Sequence, residues 1–318
     1  MKLNEKVFQK MGVIILLAVI ANLLWGSAAP CIKTGYRLFE IPAGETASLI
    51  LFAGCRFTLA GILTVLLGSL LNGRFLKPSR EALPKIGVLA MLQTVIQYTL
   101  YYIGCAHASG MKVAIVGAAN VFIGILISSL LFRMEKLTTR KILGCAIGFA
   151  GVVLVNVSSA KGLDLQMSLA GEGSVLLSAV AYAFSYVTMK MYSKAEDPVM
   201  LSGYQFIVGG LIMVGIGLLF GGRLTTVSGT GLLLLLYLAM VSALAYSMWS
   251  LLLKYNPVSR VTVFGFLNPV FGVLMSALLL NESGQAFGVK GIAALVLVCI
   301  GILIVNRGTP EKKTVIEK

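Results

Sequence analysis

Long apolar runs separated by short polar stretches set the pattern of this 318-residue chain. A helix needs about 20 mostly apolar residues to cross the hydrocarbon core of a bilayer. Ten runs reach that length: about 11–32, 48–71, 84–106, 110–132, 140–158, 172–192, 199–221, 231–253, 257–280 and 286–306. The clearest is Leu232 to Leu253, which carries no charge until Lys254. A strand barrel would instead show alternating segments of about ten residues. The basic start before the first run (Lys2, Lys6, Lys10) would suit a secretory signal. That run is long, however, and Pro30 and Lys33 follow it rather than a small-residue cleavage site, so it reads as a retained helix. The pattern predicts an all-α polytopic membrane protein with ten transmembrane helices and no soluble domain between them.

Composition agrees. Hydrophobic residues make up 58% and charged residues 12%, with mean hydropathy +0.93. A soluble domain carries about 25% charged residues, so a cytosolic enzyme, a disordered chain and a secreted disulfide scaffold are all excluded. The net charge of +14 changes the picture only once it is located. Basic residues gather before the first run, after the even-numbered runs and in the tail after the tenth. On the other side stand Lys33, Arg37, Lys112, Lys161, Arg223 and Lys290, with Arg56 inside the second run. The positive-inside rule then puts both termini in the cytoplasm, in a plasma (cytoplasmic) membrane. The surplus reads as topology, and no nucleic-acid partner is expected. The five cysteines lie in or beside spans without a CxxC pair, so they read as small apolar residues.

The chain also repeats itself. Gly117–Leu131 (GAANVFIGILISSLL) matches Gly265–Leu279 (GFLNPVFGVLMSALL) at a fixed offset, pairing Asn120 with Asn268 and Gly124 with Gly272. Arg56–Gly68 matches Gln205–Gly217, pairing Phe57 with Phe206 and Gly61 with Gly210. Spans one to five (residues 1–158) and six to ten (172–306) therefore read as copies, joined by an external linker (159–171) and followed by a basic tail (307–318). Five is odd, so the copies have opposite orientations. Inverted repeats are characteristic of secondary transporters that alternate access around a midplane site.

Trp25-Gly26-Ser27 in the first span, Arg56-Phe57 in the second, and a glutamate after the fourth and ninth (Glu135, Glu282) complete a recognisable set. In this order and duplicated, they resemble the drug/metabolite transporter superfamily, in its EamA-like ten-helix branch. The resemblance covers nearly the whole chain. It implies passage of small metabolites through a central cavity, with helices five and ten peripheral. Two departures are visible. Val121 faces Pro269 where the family usually has proline in both halves, and Asn22 is all the first span offers where related small multidrug exporters carry a glutamate.

The candidate site residues are those that interrupt the apolar runs. Arg56 is the charge deep in a span, and an ionisable residue there is a functional hypothesis by default. It either binds a substrate carboxylate or hydrogen-bonds helix carbonyls and fixes the second span. Gln93, Gln97 and Tyr101 recur at i, i+4 and i+8, which puts two amides and a phenol on one helical face. Unpaired amides are costly against lipid, so that face should look inward. At the repeat offset Tyr246 stands opposite Tyr98 and Trp249 opposite Tyr101, and span six adds Tyr182 and Tyr186. Aromatic walls with a few amides suit a small-molecule pocket, although packing and interfacial belts use the same residues. Trp25 joins or braces that cavity.

Asn120 and Asn268 either contact substrate or cap interrupted helices, and Asn268-Pro269 is the better site for a break. Glu135 and Glu282 cap helices or gate, and His107 reads as interfacial. Gly144–Gly148 and Gly217–Gly221 suggest close helix contacts. With one histidine and no carboxylate deep in a span, an enzyme on lipid-linked groups is not expected. The leading expectation is a carrier of small polar or amphipathic metabolites, amino acids first. It needs no cofactor, and its partners are a small-molecule substrate and membrane lipid, as monomer or homodimer.

Overall fold

The computed structural model describes residues 5–42, 44–108, 110–156, 167–279 and 289–307. Glu282, most of the expected linker and nearly all of the basic tail lie outside the described residues. The described chain is helical, in rods we number α1 (Met11–Leu38), α2 (Thr46–Asn72), α3 (82–107), α4 (110–131) and α5 (Thr139–Asn156). There follow α6 (Leu169–Tyr192), α7 (Pro198–Leu219), α8 (Gly229–Tyr255), α9 (258–279) and α10 (Val289–Asn306). Among the described residues, 8 helices are long and apolar enough to cross a membrane, all but α5 and α10. Those two are 18 residues each, and α5 opens on Arg140 and Lys141, which shortens its apolar part. The chain is a polytopic helical membrane protein.

Helix ends follow local chemistry. Asp197 caps α7, its Oδ1 accepting from the amides of Val199 at 2.8 Å and Met200 at 2.9 Å, with Pro198 in the first turn. That is the preferred pairing of cap and proline. Ser168 and Glu172 cap α6 reciprocally: Ser168 Oγ accepts from the Gly171 amide, and the Glu172 carboxylate accepts from the Ser168 amide at 2.7 Å. Gly73 (φ 63°) closes α2 and Gly221 (φ 82°) follows α7, a backbone region that favours glycine.

Packing is closest where glycines let backbones approach. Along the α2–α7 seam a side chain at Gly61 would meet the Gly203 carbonyl at 2.5 Å, and one at Gly54 would meet the Val214 amide at 2.6 Å. The α5–α10 seam works the same way, with Gly301 against the Gly144 carbonyl at 2.5 Å. Gly144, Gly148 and Gly217 thus serve the helix contacts expected of them. Gly221 does not: it sits in the turn after α7 with nothing near its missing side chain. Besides these seams, α1 lies against α8 and α9, α6 against α3 and α4, α2 against α8, and α7 against α3.

Two main hydrophobic clusters result. One gathers α4, α5, α9 and α10 with parts of α1, α6 and α8. The other gathers α2, α3 and α7 with the remaining parts of α1 and α8. Trp25 and Tyr182 pack against both clusters, which marks the junction between them.

Two helices are interrupted. α4 breaks at Ala119, and the Asn120 side-chain amide donates to the Gly117 carbonyl at 2.7 Å. α9 passes through a 3-10 stretch, Val263–Phe266, just before Asn268-Pro269. Both interruptions occur although only one half carries the proline.

Candidate functional site

At the centre of the bundle, residues from the matching segments meet in matching pairs. Arg56 is buried on α2, its Nε donating to the Leu238 carbonyl at 3.3 Å and its Nη2 to Ser242 Oγ at 2.9 Å, both on α8. Gln205, the residue aligned with Arg56, is fully buried on α7 and accepts from Thr94 Oγ1 of α3 at 2.8 Å. Thr94 stands to Ser242 as Tyr98 stands to Tyr246, a separation of 148 residues. Arg56 thus ties α2 to α8 by two bonds, and Gln205 ties α7 to α3 by one. Both Arg56 bonds go to neutral acceptors.

Between these pairs lies an aromatic centre. Phe57 stacks on Phe206 at 5.3 Å, Phe57 meets Tyr98 at 4.4 Å and Phe206 meets Tyr246 at 4.9 Å. The hydroxyls of Tyr98 and Tyr246 share a hydrogen bond of 2.8 Å. Trp25 stands edge-on to Tyr246 at 5.0 Å and to Trp249 at 5.1 Å. Trp25, Tyr98 and Tyr182 are half-buried, whereas Tyr246 and Trp249 are buried behind them. The structure thus brings together Trp25, Arg56, Tyr98, Tyr246 and Trp249. Asn22 lies one turn from Trp25, fully buried, with Nδ2 donating to the Ala18 carbonyl at 2.7 Å.

Other candidates part from this centre. Gln93 and Gln97 are packed away, with the Gln97 carbonyl taking a bond from Ser178 of α6. Tyr101 is 37% exposed, so the three do not face one space as expected. The π-turn at Ala90–Ile96 ends before Gln97, and in the regular helix Gln97–His107 four residues turn about 400°, which sets Tyr101 about 40° round from Gln97. At about 100° per residue, Tyr101 and Cys105 fall between the flank that meets α6 (Gln97, Gly104) and the flank that meets α2 and α8 (Tyr98). Both side chains are exposed.

Tyr186 is a correction of a different kind. It is buried against α4, its hydroxyl donating to the Asn120 carbonyl at 2.6 Å and its ring lying on Gly124, so it packs helices rather than walling a pocket. Asn120 caps the break in α4, while Asn268 is half-buried where α9 resumes. Phe57, Phe206, Thr94, Gln205 and Ser242 belong to the centre but were not expected there. The repeat match already held Phe57 and Phe206, and reading it as chemistry rather than ancestry would have found them.

A second polar cluster joins α4, α5 and α9. Glu135 accepts from Ser128 Oγ at 3.0 Å, from the Ser259 amide at 2.9 Å, from Lys141 Nζ at 2.6 Å and from Ser259 Oγ. Burial pushes its carboxyl up, but the Lys141 and Ser259 hydrogen bonds and the Lys141 charge outweigh this and hold it below the ordinary 4.5. Beside it Lys190 Nζ donates to the carbonyls of Leu253 at 2.7 Å and Asn256 at 2.5 Å, and the Asn256 amide reaches the Phe8 carbonyl at 2.9 Å. A surface recess of about 410 Å³ beside Glu45, Ser48 and Arg223 lies apart from both clusters.

A multi-pass helical bundle with a polar-aromatic centre suits a membrane transporter. The comparisons give the family. The model of the EamA-like transporter family matches residues 12–157 and again 169–307, so the chain belongs to that family, within the drug/metabolite transporter superfamily. It is 27% identical to the uncharacterized transporter YvbV of Bacillus subtilis, covering 94% of this chain and 93% of that one. It is also 27% identical to a probable amino-acid metabolite efflux pump of Escherichia coli, covering 96% and 98%. A chloroplastic WAT1-related protein of Arabidopsis thaliana is 28% identical over 78% of this chain, which spans 61% of that protein's length. A crystal structure of 17% identity superposes with a TM-score of 0.75 over 92% of this chain and 97% of that one, which shows the fold.

Proposed function

We propose that the protein is a secondary carrier that moves small polar or amphipathic metabolites, amino acids first, through the junction of two inverted five-helix halves. The observation that carries the reading is the mirrored centre. Arg56–Ser242 and Gln205–Thr94 join matching positions, the second-helix residue donating in one and accepting in the other, and the Tyr98–Tyr246 bond joins two residues at the repeat offset. The helix contacts follow the same exchange: α1 with α8 and α9 answers α6 with α3 and α4, while α2–α7 and α5–α10 map onto themselves. The family model matches the chain twice, over the proposed halves.

On this reading the chain has ten spans, residues 1–158 and 172–306 form the halves, and both termini face the cytoplasm. Access alternates as the helices around α2, α3, α7 and α8 move against those around α4, α5, α9 and α10, with the solute held near Trp25 and Tyr182. Arg56 and the two asparagines hold helices, and Trp25, Tyr98, Tyr101, Tyr182, Tyr246 and Trp249 meet the solute. The amino-acid guess draws support from the relative of that name in Escherichia coli.

The test is counterflow in proteoliposomes loaded with a broad panel of metabolites. Trans-stimulated uptake of a small solute, abolished when the interior is empty, is the expected result. No movement of any solute across the panel sinks the carrier reading.

A further inference from the structure

The aromatic centre holds donors that nothing in the protein uses. Among the described residues, the indole Nε1 of Trp25 and that of Trp249 are buried and have no hydrogen-bond partner. Indole nitrogens donate and never accept. A buried donor left unmade costs free energy that a ligand acceptor recovers. The two rings stand 5.1 Å apart at 65°, and both are fixed: Trp25 by Tyr246, and Trp249 by its burial to 4% exposure. The Asn22 Oδ1, one turn along α1 from Trp25, is likewise without a partner. Trp25 packs against both hydrophobic clusters, and it is half-buried there together with Tyr98 and Tyr182.

We propose that Trp25 and Trp249 form a two-donor subsite that reads an oxygen acceptor, a carbonyl or carboxylate, on the transported solute. Both N–H groups give a hydrogen bond to the acceptor group, and the aromatic rings cover the apolar part beside it. Both indoles are neutral donors, and the Arg56 guanidinium already donates to the Leu238 carbonyl and Ser242. The acceptor is therefore recognised by hydrogen bonding. This inference rests on the carrier reading above.

The chain provides its own probe, since it contains 2 tryptophans and both are in this subsite. Intrinsic tryptophan fluorescence of the purified full chain then reports on the subsite alone. The ligands are 3-phenylpropanoate, 3-phenylpropanamide and phenethylamine, which share a phenyl-ethyl body and differ in the head group. The two oxygen-bearing compounds are expected to shift the emission saturably, and phenethylamine to bind at least tenfold more weakly. Equal responses to propanoate and propanamide mean that the carbonyl oxygen is read. A response to propanoate alone means that the carboxylate is read. Trp249→Phe is expected to weaken the oxygen-bearing ligands about tenfold while leaving phenethylamine unchanged. Phenethylamine binding as well as the others, or no shift with any oxygen-bearing compound at millimolar concentration, overturns the proposal. If that flat response accompanies clear counterflow of another solute, the carrier reading stands and the subsite fails. Should Trp249→Phe not fold, the ligand series on the unaltered protein decides by itself.

Discussion

Arg56→Gln separates the two roles open to the buried arginine. Gln205 occupies the matching position in the other half and makes its bond to Thr94 as a neutral amide. Glutamine at position 56 should therefore repeat in the first half what the second half already does. The charge-assisted bond to Ser242 becomes a neutral one, a loss of about 1 kcal/mol, since bonds to charged groups contribute about 1.5–3 kcal/mol against about 1 for neutral ones. The Nε bond to the Leu238 carbonyl, long at 3.3 Å, disappears and costs about another 1 kcal/mol. The sum of about 2 kcal/mol corresponds to roughly 3 °C in apparent melting temperature for a chain of this length.

Ser242→Ala is expected to cost about 2 kcal/mol with arginine in place but only about 1 kcal/mol with glutamine, a coupling of about 1 kcal/mol. Thermal unfolding of the four proteins in detergent completes the cycle, and counterflow in proteoliposomes completes the functional arm. The expected outcome is reduced stability with transport of the same solutes retained. An Arg56→Gln protein that melts like the parent yet transports nothing would refute the reasoning and return Arg56 to the cargo.

The remaining predictions concern the other bonds between helices. Tyr98→Phe and Tyr246→Phe each break the 2.8 Å hydroxyl bond and should cost about 1 kcal/mol; the double variant, measured by thermal unfolding, should cost no more than either alone beyond the shared bond. Gly124→Ala drives a methyl into the Tyr186 ring and should destabilise by about 2 kcal/mol, and Tyr186→Ala in the same chain should relieve the clash at the cost of a cavity. Glu135→Gln removes one partner of a buried ion pair and should cost about 3 kcal/mol near neutral pH. Because the Glu135 carboxyl lies below 4.5 in the folded protein, its stabilisation is present above 4.5 and is lost as pH falls through that lower value. The stability gap between parent and variant in pH-dependent melting should therefore close at acid pH and stay constant from pH 6 to 8.

Much of this architecture was legible in the chain because lipid simplifies the reading. Apolar length alone locates α1 and α2 and the other long spans, and matching glycines announce the α2–α7 seam, where Gly61 and Gly210 are both at contact. What resisted was everything set by departures from regular helix. The π-turn at Ala90–Ile96 leaves no trace in an apolar pattern, and neither does the packing of α6 that covers Gln97 but leaves Tyr101 exposed. Gly221 reads as a packing glycine by spacing and is a turn glycine by φ. Tyr186 reads as a pocket wall by its neighbour Tyr182 and is a packing residue because Gly124 leaves room for its ring. Partners also escaped. Ser242 and Thr94 are unremarkable residues in apolar runs until the folded chain sets them against Arg56 and Gln205.

The breaks in α4 and α9 bear on how such a bundle moves. Proline is sufficient to interrupt a helix because it removes a donor and crowds the preceding turn. Val121 can do neither, yet α4 breaks two residues before it. The Asn120 amide supplies a substitute partner for the Gly117 carbonyl, so a side-chain donor in one half does locally what Pro269 does in the other. The surroundings differ as well. On α9, Gly26 of α1 approaches the backbone of Phe271 and Gly272 so closely that a side chain there would sit 2.7 Å from Phe271 Cβ. On α4, the corresponding glycine, Gly124, is covered by the Tyr186 ring, which is tied to the Asn120 carbonyl. One half thus meets its partner backbone to backbone and the other through a hydrogen-bonded phenol. Two segments that match the same family model need not be equal in energy. If access alternates by exchanging their arrangements, the two end states differ by these unlike contacts at Tyr186 and Gly26, and by the charged Arg56 bond in one half against the neutral Gln205 bond in the other.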